Sequence, residues 1–182
     1  MKFSVTPQNV PDVLLIEPQV FEDDRGYFKE SYQQDALDSV LSAVRFVQDN
    51  ESLSAKGVVR GLHFQHAPYE QAKLVRVVQG SIWDVAVDIR PDSATYKQFV
   101  AVELSAGNHL QLFLPRGFAH GFLVLSDSAI VQYKTDQFYQ PEADAGIHPF
   151  DPDLNIPWPM NQKECLLSSK DQSLPSLSEI EH

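Results

Sequence analysis

The stretch Arg60-Gly61-Leu62-His63-Phe64-Gln65, taken with Lys73, Pro115-Arg116-Gly117-Phe118-Ala119-His120 and Tyr133, holds the groups needed to move a proton at a carbon beside a carbonyl. An imidazole with an ordinary pKa of ~6.5 works as a base near neutral pH. A phenol, with a pKa of ~10, returns a proton to a carbanion that is more basic still. An ammonium beside a ketone oxygen stabilises the negative charge that forms there. His63, Tyr133 and Lys73 are the candidates for these three tasks.

Each candidate has a plainer reading beside the catalytic one. A histidine or a tyrosine on a strand more often packs than reacts. Lys73 and Arg60 are either solvated charges or cations at a pocket mouth that hold a diphosphate, Arg60 through its planar fork and Lys73 as a point charge. Asp171 is either a solvated tail carboxylate or the partner that fixes an imidazole's tautomer and raises its basicity. Phe138 and Tyr139 either fill the mouth of a barrel or stack on a nucleobase.

A metal site is the first rival. Gly57…His63…His66…Glu70…Gly80, followed by Pro115-x-Gly117-x-x-His120, is similar to the two motifs of the cupin superfamily. Metal-binding cupins place two histidines at i and i+2, so that one strand face presents both. His63 and His66 have an odd separation, which turns them to opposite faces of a regular strand, and no metal is expected. A bulge at Gln65 would remove that objection.

These groups need strands to carry them. Trp83, Val85, Val87 and Ile89 alternate with Asp84, Ala86 and Asp88, a period of two. Leu110, Leu112 and Leu114 alternate again. Further strands are predicted at Val13–Ile16, within Phe21–Ser31, from Phe46, and at Leu74–Val78, Phe99–Leu104, Phe122–Leu125 and Ile130–Tyr133, with turn residues between. Ala36, Leu37, Val40, Leu41 and Val44 have helical spacing, which predicts one helix over 35–44. Strands at this spacing, without alternating long helices, argue for an all-β fold, and a jelly roll fits best because it encloses a pocket. The six prolines from Pro141 onward predict loops wrapped on the barrel rather than a second domain, so residues 1–182 read as a single domain.

Composition narrows the function further. The 182 residues are 43% hydrophobic and 21% charged, which suits a globular chain. With 14 basic and 25 acidic residues the net charge is −11, so nucleic acid is a poor partner and an anionic ligand needs a local cluster of cations. Cys165 is the lone cysteine, so no internal disulfide is expected and a reducing cytoplasm is compatible. Pro7, Gln8, Asn9, Pro11 and Asp12 interrupt any apolar leader after Lys2, and no run approaches the ~20 apolar residues of a membrane span.

Collinear motifs over nearly the whole chain give a resemblance. They are Val20-Phe21 with Arg25-Gly26, Phe28 and Glu30; Val47-Gln48-Asp49-Asn50; Gly57 through Gln65; Lys73-Leu74-Val75-Arg76; and Asp84 through Arg90. Pro115 through Leu125, Tyr133-Lys134-Thr135, Pro141-Glu142 and Ser169-Lys170-Asp171 complete them. With these the chain resembles the dTDP-4-dehydrorhamnose 3,5-epimerase family. The resemblance implies a cupin-type jelly roll, a cytoplasmic homodimer, and neither metal nor organic cofactor. It implies dTDP-4-dehydro-6-deoxy-D-glucose as substrate and inversion at C3 and C5. It makes His63 the base, Asp171 its orienting partner, Tyr133 the acid and Lys73 the neighbour of the enolate. Arg60, Arg25 and Lys170 would serve the diphosphate, and Glu30, Gln48, Asp49, Asn50 and His120 would also contact substrate. Phe21, Phe28 and Tyr139 would lie at the thymine end. Asp144 stands where the family usually has a glutamate that contacts the nucleotide sugar, and Ala145 replaces a frequent arginine. A single-site epimerase, a 3,4-ketoisomerase, a metal-dependent oxygenase and a non-catalytic sugar-nucleotide binding module are the alternatives.

Overall fold

The alternation through Trp83–Ile89 folds as a strand, as do the other segments of its kind, in a computed structural model that describes residues 2–41 and 44–180. The first elements are β1 (Phe3–Pro7), β2 (Leu14–Pro18), β3 (Val20–Asp23), β4 (Gly26–Lys29) and helix α1 (Gln34–Leu37). The central strands are β5 (Gln48–Ala55), β6 (Val59–Gln65), β7 (Lys73–Gln79), β8 (Ser81–Asp88) and β9 (Phe99–Ser105). After them come β10 (Gln111–Leu114), β11 (Phe118–Val124), β12 (Ser128–Thr135), β13 (Asp144–Gly146) and helix α2 (Ser169–Gln172).

The fold is an all-β jelly roll. A six-stranded sheet in the order β1-β2-β10-β7-β12-β5 faces a five-stranded sheet in the order β13-β6-β11-β8-β9, and β3 and β4 form a separate hairpin. Strand alternation sends Val75, Val77, Leu112, Leu114 and Val131 of the first sheet against Ile82, Ala86, Phe118, Phe122 and Val124 of the second. Each such side chain contributes about 1.5–3 kcal/mol when fully buried. Toward one end of this interior the apolar layer stops. Lys73, Asn50 and Tyr133 then continue the inner face of one sheet, and His63 and His120 that of the other.

One expectation needs correction. The predicted helix over 35–44 is one short turn, Gln34–Leu37, followed by turns to Leu41; Ser42 and Ala43 lie outside the described residues. Nucleating a helix is costly for so short a piece, and its N-terminus has no side-chain cap. Docking Leu37 and Leu41 beside Leu74 and Phe113 on the outer face of the six-stranded sheet needs no more. The segment after Pro141 is loop-rich and wraps the barrel, as its prolines predict, with a few short ordered pieces within it. β13 pairs with β6 as an edge strand, and Ile147, Leu154, Ile156 and Leu177 cover the outer face of the five-stranded sheet against Leu62, Phe64, Val85 and Val87.

The seam between β6 and β11 sets the position of two site histidines. His63 is opposite His120 and Arg60 is opposite Phe122, so three steps on β6 match two on β11, a bulge at Gly61-Leu62. Gly61 has φ +103, and a methyl group there would stand 2.5 Å from the carbonyl oxygen of His120 and 2.7 Å from Cα of Gly121. Gly61→Ala is therefore expected to cost about 2–3 kcal/mol of stability, from the left-handed backbone and the overlap together. Denaturant unfolding measures this, and an unchanged midpoint would show that the seam can open without cost.

Candidate active site

A cavity of about 370 Å³ opens between the two sheets, lined among others by Arg60, His63, Lys73, His120, Tyr133 and Asp144. His63 and Tyr133 enter it from opposite walls, one on the five-stranded sheet and the other on the six-stranded sheet. The bulge explains why Arg60 and His63, three residues apart, face the same space. The irregularity considered for Gln65 thus lies at Gly61 instead. His66 follows the end of β6, packs edge-on against Phe64 with ring centroids 5.1 Å apart, and faces a different hollow with Glu70 and Ile89.

Asp171 reaches His63 because the tail runs along the edge of β6. Leu166 exchanges backbone hydrogen bonds with Gly57 and Val59, and α2 follows at once. Nε2 of His63 lies 2.6 Å from Oδ1 of Asp171. The Ser168 hydroxyl donates to Oδ2 of the same carboxylate at 2.8 Å, and its oxygen accepts from the Asp171 N–H, which caps α2. Burial alone would push the Asp171 carboxyl up. The His63 ring and then the Ser168 hydroxyl outweigh that and hold it below the usual carboxylate range. An ionised carboxylate only accepts, so His63 donates through Nε2 and Nδ1 keeps the basic lone pair.

Lys73 is buried in the same cavity, 6.0 Å from the Tyr133 ring, and its Nζ donates to the His63 carbonyl oxygen at 3.4 Å. Burial pulls the ammonium down to about 8, against the opposing pull of Asp84 and then Asp144. Burial pushes the Tyr133 phenol above its ordinary value; the charge of Arg60 draws it back and that of Asp144 adds to the rise. Near neutral pH the cavity therefore presents a phenol that holds its proton, a cation beside it, and an oriented imidazole on the facing wall.

The rim carries a second cluster. Asp144 Oδ2 accepts from the Tyr139 hydroxyl at 3.1 Å and pairs with Lys170. Gln48 donates to Asn50 at 2.8 Å and accepts from the Tyr139 N–H at 3.2 Å, so it ties the rim to β5. Arg60 donates to the Ser54 hydroxyl at 2.9 Å and to the Leu53 carbonyl oxygen at 3.5 Å, and the residue is exposed. Asp144, the shorter carboxylate, is thus engaged with its own chain at the mouth.

Phe21, Arg25, Phe28, Glu30 and Asp49 do not meet this cavity within their own chain. Phe21, Arg25 and Phe28 belong to the β3–β4 hairpin, where Arg25 pairs with Asp23 and the two phenylalanines are 55% and 66% exposed. Glu30 pairs with Lys2 at 2.9 Å. Asp49 alternates with Asn50 along β5, so it turns to the other face and pairs with Lys134 at 2.7 Å. Three residues that shape the site were not singled out beforehand. Ser168 had a signal, the Ser-x-x-Asp spacing of a cap at 168–171. Gln65 accepts from the Gln140 N–H at 2.7 Å and so holds the Tyr139 loop; Asp84, behind His120, looked like one more polar step in an alternating strand.

A family model described as dTDP-4-dehydrorhamnose 3,5-epimerase matches residues 7–179. The chain is similar to the dTDP-4-dehydrorhamnose 3,5-epimerase of Escherichia coli K12, 52% identical over 178 residues, 97% of this chain and 96% of the relative. It is 46% identical over 179 residues to that of Methanothermobacter thermautotrophicus, 98% of this chain and 96% of the relative. The crystal structure of dTDP-6-deoxy-D-glucose-3,5-epimerase from Legionella pneumophila Philadelphia 1 in complex with dTDP-4-keto-L-rhamnose superposes with a TM-score of 0.95 at 44% identity. That match covers 98% of this chain and 95% of the other.

Proposed function

Since the chain belongs to the dTDP-4-dehydrorhamnose 3,5-epimerase family, whose members are isomerases, we propose that it inverts C3 and C5 of dTDP-4-dehydro-6-deoxy-D-glucose to give dTDP-4-dehydro-L-rhamnose. The observation that supports this best is the entry of His63, bonded to Asp171, and Tyr133 from opposite walls of one cavity.

The chemistry follows from the C4 ketone, which acidifies the hydrogens on C3 and C5. Nδ1 of His63 takes a proton from one carbon, and the C–H electron pair becomes the enolate double bond while charge moves onto O4. Asp171 stabilises the imidazolium that results. Lys73 supplies the cation for O4. The Tyr133 hydroxyl then delivers a proton to the opposite face of the carbon as the ketone re-forms. Solvent takes the proton from His63 and returns one to Tyr133, and the cycle repeats at the second carbon. No electrons leave the sugar, so the scheme needs no redox partner. Arg60 and Lys170 would meet the diphosphate at the mouth, with Lys170 exchanging Asp144 for phosphate oxygens, and Tyr139 would offer its exposed ring to the base.

The hairpin completes this reading if the protein is a homodimer. Phe21, Tyr27 and Phe28 are large, apolar and exposed, and Arg25 stands among them. In a cytoplasmic homodimer they would be offered to a neighbour's cavity, together with Glu30. Sedimentation is expected to give twice the chain mass, and Phe28→Ala to raise KM more than it lowers kcat.

The deciding experiment follows deuterium from D₂O into the substrate by NMR. Label at both C3 and C5 is expected. Label at one carbon would mean a single-site epimerase, and tight binding of dTDP-sugars without label would mean a binding module.

A further inference from the structure

Asp84 is a titratable group that the reaction scheme leaves unused. It lies on β8 below the cavity, fully buried, on the inner face that also carries Ile82 and Ala86. Its Oδ1 is 2.8 Å from Nε2 of His120, itself buried and part of the cavity wall. Its Oδ2 is buried and has no hydrogen-bond partner among the described residues. An orphaned carboxylate oxygen in the interior is costly, and such groups persist where something else requires them. The neighbour with the complementary deficit is Lys73. Its buried ammonium has no ion pair among the described residues, and Asp84 is the carboxylate whose charge bears on it most.

From this arrangement we infer that Asp84 is a positioning residue for the reaction: a buried counter-charge for Lys73 that also fixes the ring plane and tautomer of His120. The inference rests on the epimerase reading and extends it to the layer beneath the cavity.

Two physical arguments join here. A carboxylate accepts from Nε2–H of His120, so the ring is held with that nitrogen protonated and its other nitrogen free for the substrate side. A negative charge near a buried ammonium favours its charged form, which is the form that stabilises an enolate. Other charged or titratable groups line the cavity with Lys73: Glu51 on β5, Arg60 and His63 on β6, His120 on β11, Tyr133 on β12, Asp144 on β13, and Tyr139 and Lys170 at the rim. Two of these are carboxylates: Glu51 accepts from the Gln132 side chain at 2.6 Å, and Lys170 and the Tyr139 hydroxyl already engage Asp144 at the rim. Among the described residues Asp84 pairs with no lysine or arginine, and its one side-chain partner is the His120 ring. The two histidine–carboxylate pairs thus divide the work, Asp171 behind the base and Asp84 behind the enolate-binding side.

The test is the pH profile of turnover for the native protein and Asp84→Asn, read as deuterium wash-in at C3 and C5. Removing the carboxylate makes the Lys73 ammonium lose its proton at lower pH. The alkaline limb should therefore move down by about one pH unit, a loss of roughly tenfold on the alkaline side, with KM little changed. Loss of structure alone would scale the whole profile without moving that limb. Superimposable limbs at equal folding would overturn the inference. ¹⁵N NMR of His120 in the native protein is the second reading and decides if Asp84→Asn fails to fold. A ring with Nε2 protonated throughout supports the inference, and a mixture of tautomers overturns it. Absence of wash-in by the native protein would refute the epimerase reading instead, and the His120 spectrum would still report on Asp84.

Discussion

His63→Ala is expected to lower turnover by at least ~10²–10⁴-fold and to remove deuterium incorporation at both C3 and C5. Of the two histidines in the cavity wall, His63 is the one bonded to the tail carboxylate, at 2.6 Å. That bond leaves a single ring nitrogen to act as base. Truncation removes the base and leaves Asp171 as a buried carboxylate whose remaining hydrogen-bond donor among the described residues is the Ser168 hydroxyl. Its folded-state pKa is held below its unfolded value. That contribution to stability is present above the unfolded pKa and is lost as pH falls through the folded one. Losing His63 shrinks the depression, so the variant should also be less stable at neutral pH and less sensitive to acid. NMR of the substrate in D₂O and acid melting curves check the two halves. Retained label at either carbon would mean that another group is the base there.

Tyr133→Phe should separate exchange from inversion. The variant keeps the ring that packs against Lys73 and the sandwich interior, and loses only the hydroxyl. His63 can still take a proton and give it back on the same face, so wash-in of deuterium continues. Protonation from the six-stranded wall loses the phenol, while the Lys73 ammonium there is engaged with O4, and net inversion should fall by about 10²–10⁴-fold. The measurement is label against configuration on one sample. Equal loss of both would place the phenol in substrate binding, and loss of neither would exclude it as the acid.

These effects differ because the groups are held in different ways. Tyr133 sits mid-strand, fixed by its neighbours Asn50 and Val75 on either side. His63 depends on a bulge, a tail and a one-turn helix, each from a distant part of the chain. Strand alternation was legible for Tyr133, Lys73 and the β8 residues, because a period of two is a local property. The same rule misjudges Arg60 and His63, which share a cavity across an odd separation only because Gly61 admits an extra residue into β6. The helix over 35–44 failed for a related reason: all the apolar positions but the exposed Val40 were real contacts, and docking Leu37 and Leu41 was enough.

From the amino-acid order alone came the all-β class, the acidic charge that forces anion recognition to be local, and the residue types for proton transfer at carbon. These are properties of composition and short-range periodicity, and they do not depend on where distant segments meet. Which wall each group occupies, that Asp171 meets His63 and Asp84 meets His120, and that the β3–β4 aromatics stand away from their own cavity were decided by tertiary structure. Such contacts join residues up to 108 positions apart, and only the closing of one sheet over the other brings them within hydrogen-bonding reach.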